Sequence, residues 1–434
     1  MTIDAQPGVP PAIAMLLNEE FSLFDRTSAR RKLRGMLREM RDQTLAEAER
    51  KLFLLPPPDP NPLKFRVFMD GGLDLFGHLG ACMALPCRLG YADQVARSVA
   101  LMADNVWFRD HITDRILDMG RVTNAKLDYL LDDVYLLQRL RPLIEADIAK
   151  FCSPWRPVCG GCLGEFEARV ERITDQVLEV FRPRMRLEDS STGPALHTAD
   201  LYDPGVVYRL FNEAAIGSTE EIMRDAVYRC VRNALWSAGD AATAGGAVFS
   251  NSKAGLSSLI AQEGRAYSRP DLTALEGNRA GNLPFIANLS IEQTIALRGE
   301  ATLALPRLRE FLSRHLSARP LDDQRASPKP ADYVAELREQ AAEVRAELSA
   351  AQRGRPSLTR GALGMLSLGV FAYGFAAGTL EPAAGLFQLL TTLGLLHQLD
   401  SPDTRHDAQL KSKPGYVLVA AQDLLMHAPG VAAS

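Results

Sequence analysis

The tetrapeptide NVWF, Asn105–Phe108, decides the fold reading, because it is a short β-branched and aromatic run in a chain whose other apolar patterns have helical spacing. A second run of this kind, GAVFS at Gly246–Ser250, follows a Gly-rich turn. Two or three such strands among many helices predict a mainly α fold, of the α+β kind with a few short strands, and an all-helical body is the alternative.

Acids crowd around NVWF. Asp104, Asp110, Asp114 and Asp118 flank it together with His111. Carboxylates at strand ends hold Mg²⁺ for phosphoryl chemistry, which makes Asp104, Asp110, His111 and Asp114 candidate catalytic residues of a metal-dependent hydrolase or nuclease. The plainer reading is structural, since Asp110, Asp114 and Asp118 are spaced by four and would share one solvated helix face. The sequence carries no nucleotide-binding loop, HExxH, GxSxG or EF-hand pattern, so the acids stand without a supporting motif.

Further out, helix starts announce themselves by their caps. Ser218 with Glu221 forms a capping box ahead of the face Ile222, Ala226, Cys230 and Ala234, and Ser290 with Gln293 repeats the arrangement. Pro306 falls inside the second helical pattern, where it predicts a kink or break. Proline also marks the boundaries: PPPDPNP at Pro56–Pro62, and ARPLDDQRASPKPAD at Ala318–Asp332. The expected organisation is an N-terminal segment over 1–55, a mostly helical body over 63–317, a Pro-rich linker over 318–332 and a C-terminal part over 333–434.

The N-terminal segment contains a basic amphipathic helix, with Arg30, Arg31, Arg34 and Arg38 as its basic surface and Leu33, Met36, Leu37 and Met40 as its apolar side. Such a helix rests on anionic lipid, meets phosphates, or docks by its apolar stripe. In the C-terminal part, Val334, Leu337, Ala341, Val344 and Leu348 follow heptad spacing, over a length too short for an independent coiled coil.

Beyond it, Gly361–Leu399 is uncharged and Gly-rich except at Glu381-Pro382, which predicts an apolar helical hairpin buried in protein or in a bilayer. Leu366, Phe371, Gly374, Phe375, Gly378, Leu386 and Leu390 are its packing or membrane-facing residues. Gly374 and Gly378 form a GxxxG, and arginines and lysines flank both ends. The glycines, Gln388 and His397 pull the reading back toward a packed hairpin.

Six cysteines are too sparse for a disulfide framework. Cys152, Cys159 and Cys162, in FCSPWRPVCGGC, are candidate ligands of a structural zinc, with His197, Cys82 or Cys87 as a fourth. One CxxC knuckle with a loose third ligand is half of the usual zinc signature. Reduced thiols are the competing state.

A chain of 434 residues with 47% hydrophobic and 24% charged residues excludes wholesale disorder and a multi-span membrane protein. The formal charge of -4 leaves no global basic field for nucleic acid. The N-terminus lacks the basic n-region of a secretory signal, so the expected location is cytoplasmic, with peripheral or anchored contact at the inner membrane through the hairpin. Together these features suggest a non-enzymatic interaction or effector protein. Its helical body would bind a protein partner or a second copy, and its hairpin would pack, oligomerise or contact membrane. The metal-dependent hydrolase is the alternative.

Overall fold

The computed structural model describes residues 7–48, 64–77, 82, 84–153, 158–190, 193–197, 207–209, 218–262, 274–276, 289–316, 330–353 and 402–426. The apolar hairpin, with Leu366, Phe371, Gly374, Phe375, Gly378, Leu386 and Leu390, lies outside the described residues. The chain divides into two compact units, one of 1–300, 309–334 and 421–434 and another of 301–308 and 335–420.

The first unit is built on a parallel sheet of short strands in a mainly helical chain, as expected from the sequence. Its strands are β1 (Arg66–Asp70), β2 (Asn105–Arg109), β3 (Ala149–Cys152), and, far along the chain, β7 (Ala247–Ser250) and β8 (Ala274–Glu276). The spatial order is β3-β2-β1-β7-β8, with every neighbouring pair parallel. The expected strands NVWF and GAVFS are therefore β2 and β7. Between β3 and β7 a separate antiparallel sheet runs β4 (Arg186–Ser190), β5 (Gly193–His197) and β6 (Val207–Arg209).

Both faces of the parallel sheet are covered, which is the usual condition of parallel strands. On one face α6 (Gly160–Phe181), α7 (Thr219–Ala244) and α8 (Lys253–Gln262) join Phe68, Trp107 and Val248 in one apolar cluster. Ala234, Ala238 and Ala241 let α7 lie close against β1 and β7. Ser218 and Glu221 cap α7 reciprocally, and Gly245 ends it in the left-handed conformation that glycine adopts without cost. Strand alternation turns Phe108 and Phe151 to the opposite face, where the Phe76 ring meets both, edge-on to Phe108 at 5.8 Å. There α3 (Leu85–Met102) packs on β2, and α5 (Asn124–Glu145) on β3.

The N-terminal helices α1 (Pro11–Leu17) and α2 (Arg26–Ala48) belong to this unit and pack on α5. Leu33, Leu37 and Met40 are buried beneath α2. Two of its four named arginines turn to α5, Arg30 to Asp128 at 3.4 Å and Arg34 to Asn124 Oδ1 at 3.0 Å, while Arg31 and Arg38 stay exposed. The basic surface is thus partly an interhelical seam.

The pattern interrupted by Pro306 breaks as expected, into α9 (Ile291–Glu300) and α10 (Leu305–Leu316). Pro306 sits in the first turn of α10, where a missing N–H costs no helical bond. The helix expected beyond the linker begins earlier, as α11 (Pro330–Arg353), followed by α12 (Pro402–Lys411) and α13 (Tyr416–Met426). Leu337, Ala341 and Val344 of its heptad seam are buried, and Gly415 approaches the backbone at Gln340 and Ala341 so closely that an added Cβ would sit 2.5 Å away. These middle positions of the seam are covered from within the chain, while Leu348 is half-buried. Among the described residues no helix is long and apolar enough to cross a membrane.

Candidate active site

The registers Asp70 with Ser250 and Arg109 with Cys152 align the carboxyl ends of β1, β2, β3 and β7 along one edge. The chain runs outward from β1 to β2 and β3, then returns to place β7 on the other side of β1. Ligands of open parallel sheets bind where the order reverses, outside the carboxyl ends of the strands. At that point lie Asp70-Gly71-Gly72 after β1 and Ser250-Asn251-Ser252 after β7.

These two loops are locked together. Ser250 Oγ donates to Asp70 Oδ2 at 2.6 Å, and the Gly72 N–H donates to Asn251 Oδ1 at 2.7 Å. Gly71 turns with φ +65°, and a Cβ there would meet Asn251 Oδ1 at 2.6 Å, so only glycine satisfies both the turn and the contact. Ser252 receives its order from Ser250, whose Oγ accepts the Ser252 N–H at 3.0 Å, and its own Oγ caps α8 by accepting the Gly255 N–H. The amino end of α8, with its positive dipole, therefore opens directly onto this edge.

Two more carboxyl groups stand at the same edge. Asp74 lies one turn past β1, and its Oδ1 accepts the Arg109 N–H at 3.4 Å. Asp110 follows β2, donates its N–H to Cys152 O at 2.8 Å, and caps the short helix α4 (His111–Leu117) by accepting the Thr113 N–H at 2.9 Å. Asp70, Asp74 and Asp110 are all buried, and among the described residues none of them forms a salt bridge. The Arg109 guanidinium, whose charge acts on Asp70 and Asp74, donates instead to Asn233 O at 3.2 Å and to Ser237 Oγ, which in turn reaches Asp70 Oδ1 at 3.5 Å.

Burial without a paired cation holds protons on these acids. Burial raises Asp74 to about 7, against the pull of Arg109, and the charge of Asp70 adds to the rise. Burial raises Asp110 to about 6, with Asp114 adding. Asp70 is raised by burial as well, opposed by the Ser250 hydroxyl and Arg109. His111, beside them, is lowered to about 3 by burial and then by Arg109 and Arg115, so its ring is neutral at physiological pH.

The loop that carries Asp74 is anchored from behind. Arg88 Nη2 donates to Leu75 O at 2.9 Å and Arg115 Nη2 to Phe76 O, and both guanidinium groups grip Asp133, Arg88 at 2.6 Å. This buried triad ties α3, α4 and α5 to the turn after β1.

The residues singled out from sequence divide sharply. Asp110 and His111 are at this edge. Asp114 sits within α4, its Oδ2 3.9 Å from His111 Nδ1. Asp104 is at the opposite end of β2, roughly 20 Å away at about 3.3 Å per residue, where its carboxylate accepts two bonds from Arg309 and one from the Phe65 N–H. Asp70, Asp74, Ser250, Asn251 and Ser252 were not anticipated, although DGGLD at Asp70–Asp74 places two acids around a glycine turn.

The cysteines are not drawn together as a zinc site. Cys152 is buried, its thiol donating to Phe108 O at 3.6 Å, while Cys159 and Cys162 are exposed at the start of α6. His197 pairs with Glu188 at 3.4 Å in the antiparallel sheet. Among the described residues no three His, Cys, Asp or Glu side chains are grouped to hold a metal ion. Comparison with family models, curated proteins and solved structures finds no match.

Proposed function

We propose that this chain is a hydrolase of phosphate esters that works with a divalent cation at the carboxyl edge of its parallel sheet. The observation that carries the reading is the pair Asp70 and Asp74, buried carboxyl groups with hydroxyl and amide donors but, among the described residues, no ion pair, with Asp110 on the same edge, beside the point where the strand order reverses. Mg²⁺ suits such a site because it is usually held by one or two carboxylates, waters and the substrate's phosphate rather than by a full protein cage. A cation taking the place of the acids' protons supplies the charge that burial otherwise withholds.

Asp70 and Asp74 are the proposed cation ligands. The amino end of α8 supplies a positive dipole for phosphate oxygens. Asp110, with a proton held to about pH 6, is the proposed acid–base group for the attacking water. The balanced reaction adds water across the P–O bond and releases an alcohol and inorganic phosphate.

The competing reading, a non-enzymatic partner-binding or effector protein, leans on the apolar hairpin and the heptad helix. The first lies outside the described residues and the second has the middle positions of its seam covered. The test is phosphate release from a panel of phosphomonoesters with Mg²⁺ or Mn²⁺, run on the full chain beside Asp70→Asn and Asp74→Asn. At least a 100-fold loss is expected in each variant, along with loss of the thermal stabilisation that the cation gives the unaltered chain. Absence of both turnover and cation-induced stabilisation in the unaltered chain would refute the proposal.

A further inference from the structure

A second chemical feature stands apart from the acids. Cys159 is the N-cap of α6, and its Sγ accepts the N–H of Cys162 at 3.3 Å. The two thiols perturb each other's ionisation, and both are exposed. Gly160, between them, has no neighbour within 4 Å of a notional Cβ, so the turn has room to bring the sulfurs to bonding distance. On either side stand Val158 and Leu163, both exposed, at 45% and 37% of their surface. An exposed dithiol with one sulfur capping a helix is open to exchange with an external disulfide, which a thiol pair retained for packing would not need. Cys152 and Cys230, by contrast, are buried.

We propose that Cys159 and Cys162 are a reversible dithiol–disulfide couple that exchanges with an external disulfide, Cys159 attacking and Cys162 resolving. The thiolate of Cys159 attacks one sulfur of the external disulfide, forming a mixed disulfide and expelling one thiolate. The Cys162 thiolate then attacks the Cys159 sulfur, forming the Cys159–Cys162 bond and expelling the second thiolate. Two protein thiols are oxidised and one external disulfide is reduced to two thiols, with the two protons passing to the leaving groups. The order of attack follows from the cap: the Cys162 N–H and the Cys162 thiol both favour a thiolate at Cys159, lowering it below the ordinary thiol range, and the same contact raises Cys162.

The experiment uses the full chain in a Cys82→Ser, Cys87→Ser background, because those two exposed thiols would compete. The protein is equilibrated in glutathione redox buffers, and separately with a peptide disulfide flanked by apolar residues, then alkylated and mapped by mass spectrometry. Concerted protection of Cys159 and Cys162 is expected, with Cys162→Ser trapping a mixed disulfide on Cys159 at least 10-fold faster than Cys159→Ser traps one on Cys162. Exchange with either disulfide supports the couple, and the faster of the two identifies the source of the external disulfide. Thiols that stay alkylatable across the whole series with both disulfides, or equal trapping on the two cysteines, would overturn the proposal. Alkylation of the unaltered chain against pH gives an independent check needing no variant: the midpoint for Cys159 must lie below that for Cys162.

Discussion

The two ends of β2 each carry an aspartate, and the two have opposite surroundings. At the amino end Asp104 receives both nitrogens of Arg309, at 2.9 and 2.7 Å, and Arg298 stands 4.0 Å away. At the carboxyl end Asp110 receives one backbone N–H, and its neighbours Asp70 and Asp74 receive hydroxyls and an amide. Asp133, behind the site, resembles Asp104 in having cationic partners, and exceeds it with two guanidinium groups. An acid matched by a cation within its own fold has its charge already spent on structure. A buried acid that lacks one, though burial raises it just as burial raises Asp133, keeps a capacity for a cation from outside. The residue type is the same at all of these positions, so the partner is what separates scaffold from site.

The largest effect that tests this division comes from removing the most fully compensated acid. Asp133→Ala leaves Arg88, only 3% exposed, without its counter-charge, and a buried pair broken on one side typically costs about 3–5 kcal/mol. Urea unfolding should show a loss of that size. A loss under about 1 kcal/mol would mean that the triad is not what anchors the turn carrying Asp74.

The uncompensated acids invert the pH dependence. Asp74 titrates near 7 in the folded chain against 3.8 as its ordinary value, so between those limits the native state binds a proton that the unfolded state has lost. Stability from this group is full below about pH 4 and is lost as pH rises through 7, at a slope approaching about 1.4 kcal/mol per pH unit. Asp110, raised to about 6, adds a second proton over the lower part of that window. Relative to the unaltered chain, Asp74→Asn should gain stability steadily from pH 4 to 7 in chemical unfolding curves. Millimolar Mg²⁺ should cancel that difference by stabilising only the chain that keeps Asp74. Parallel curves for the two proteins across this range would erase the distinction between the two edges.

At the amino edge the expectation is smaller and of another kind. Arg309→Ala leaves Asp104 with the Phe65 N–H and the more distant Arg298 as partners and with a side chain 28% exposed, so water and Arg298 recover part of the loss and about 2–3 kcal/mol is expected. Turnover per folded molecule should not change. A fall in turnover with unchanged stability would move Asp104 back among the catalytic candidates.

The sequence made one half of this comparison visible and hid the other, for physical reasons. NVWF and GAVFS stood out because aromatic and β-branched residues clustered between polar ones, and the capping box at Ser218 declared the start of α7 from its side-chain chemistry alone. RVFMD, β1 at the centre of the sheet, carries the same kind of short apolar run, between Arg66 and Asp70, and is as fully buried as β2 and β7, so its strand character is legible in the sequence. AKFC, as β3, is only four residues long. Unless RVFMD is a strand, Asp70 and Asp74 have no strand end to belong to, and the acids group around β2 alone. Proximity in sequence joined Asp104 to Asp110, whereas an extended strand carries its two ends to opposite edges of the sheet. Ser250 was in view as the last residue of a strand, but its partner Asp70 is 180 residues away.

That long-range hydrogen bond is where the finest test applies. Ser250 is fully buried, gives its proton to Asp70 at 2.6 Å and takes the Ser252 N–H at 3.0 Å. Ser250→Ala removes a donor that favours the ionised form of Asp70 and leaves the Ser252 N–H without this acceptor, an expected cost of about 1–2 kcal/mol. Because the lost donor stabilised the charge, Asp70 should hold its proton to higher pH, and Mg²⁺ should bind more weakly while the limiting turnover at saturating cation falls less. Ser250→Thr keeps the hydroxyl and should restore most of the cation affinity, provided the added methyl fits between β7 and α8. If Ser250→Ala lowers stability but leaves the Mg²⁺ dependence of both stability and turnover unmoved, Ser250 serves only to join β1 to β7. Asp70 would then belong with Asp104 and Asp133 on the structural side of the division.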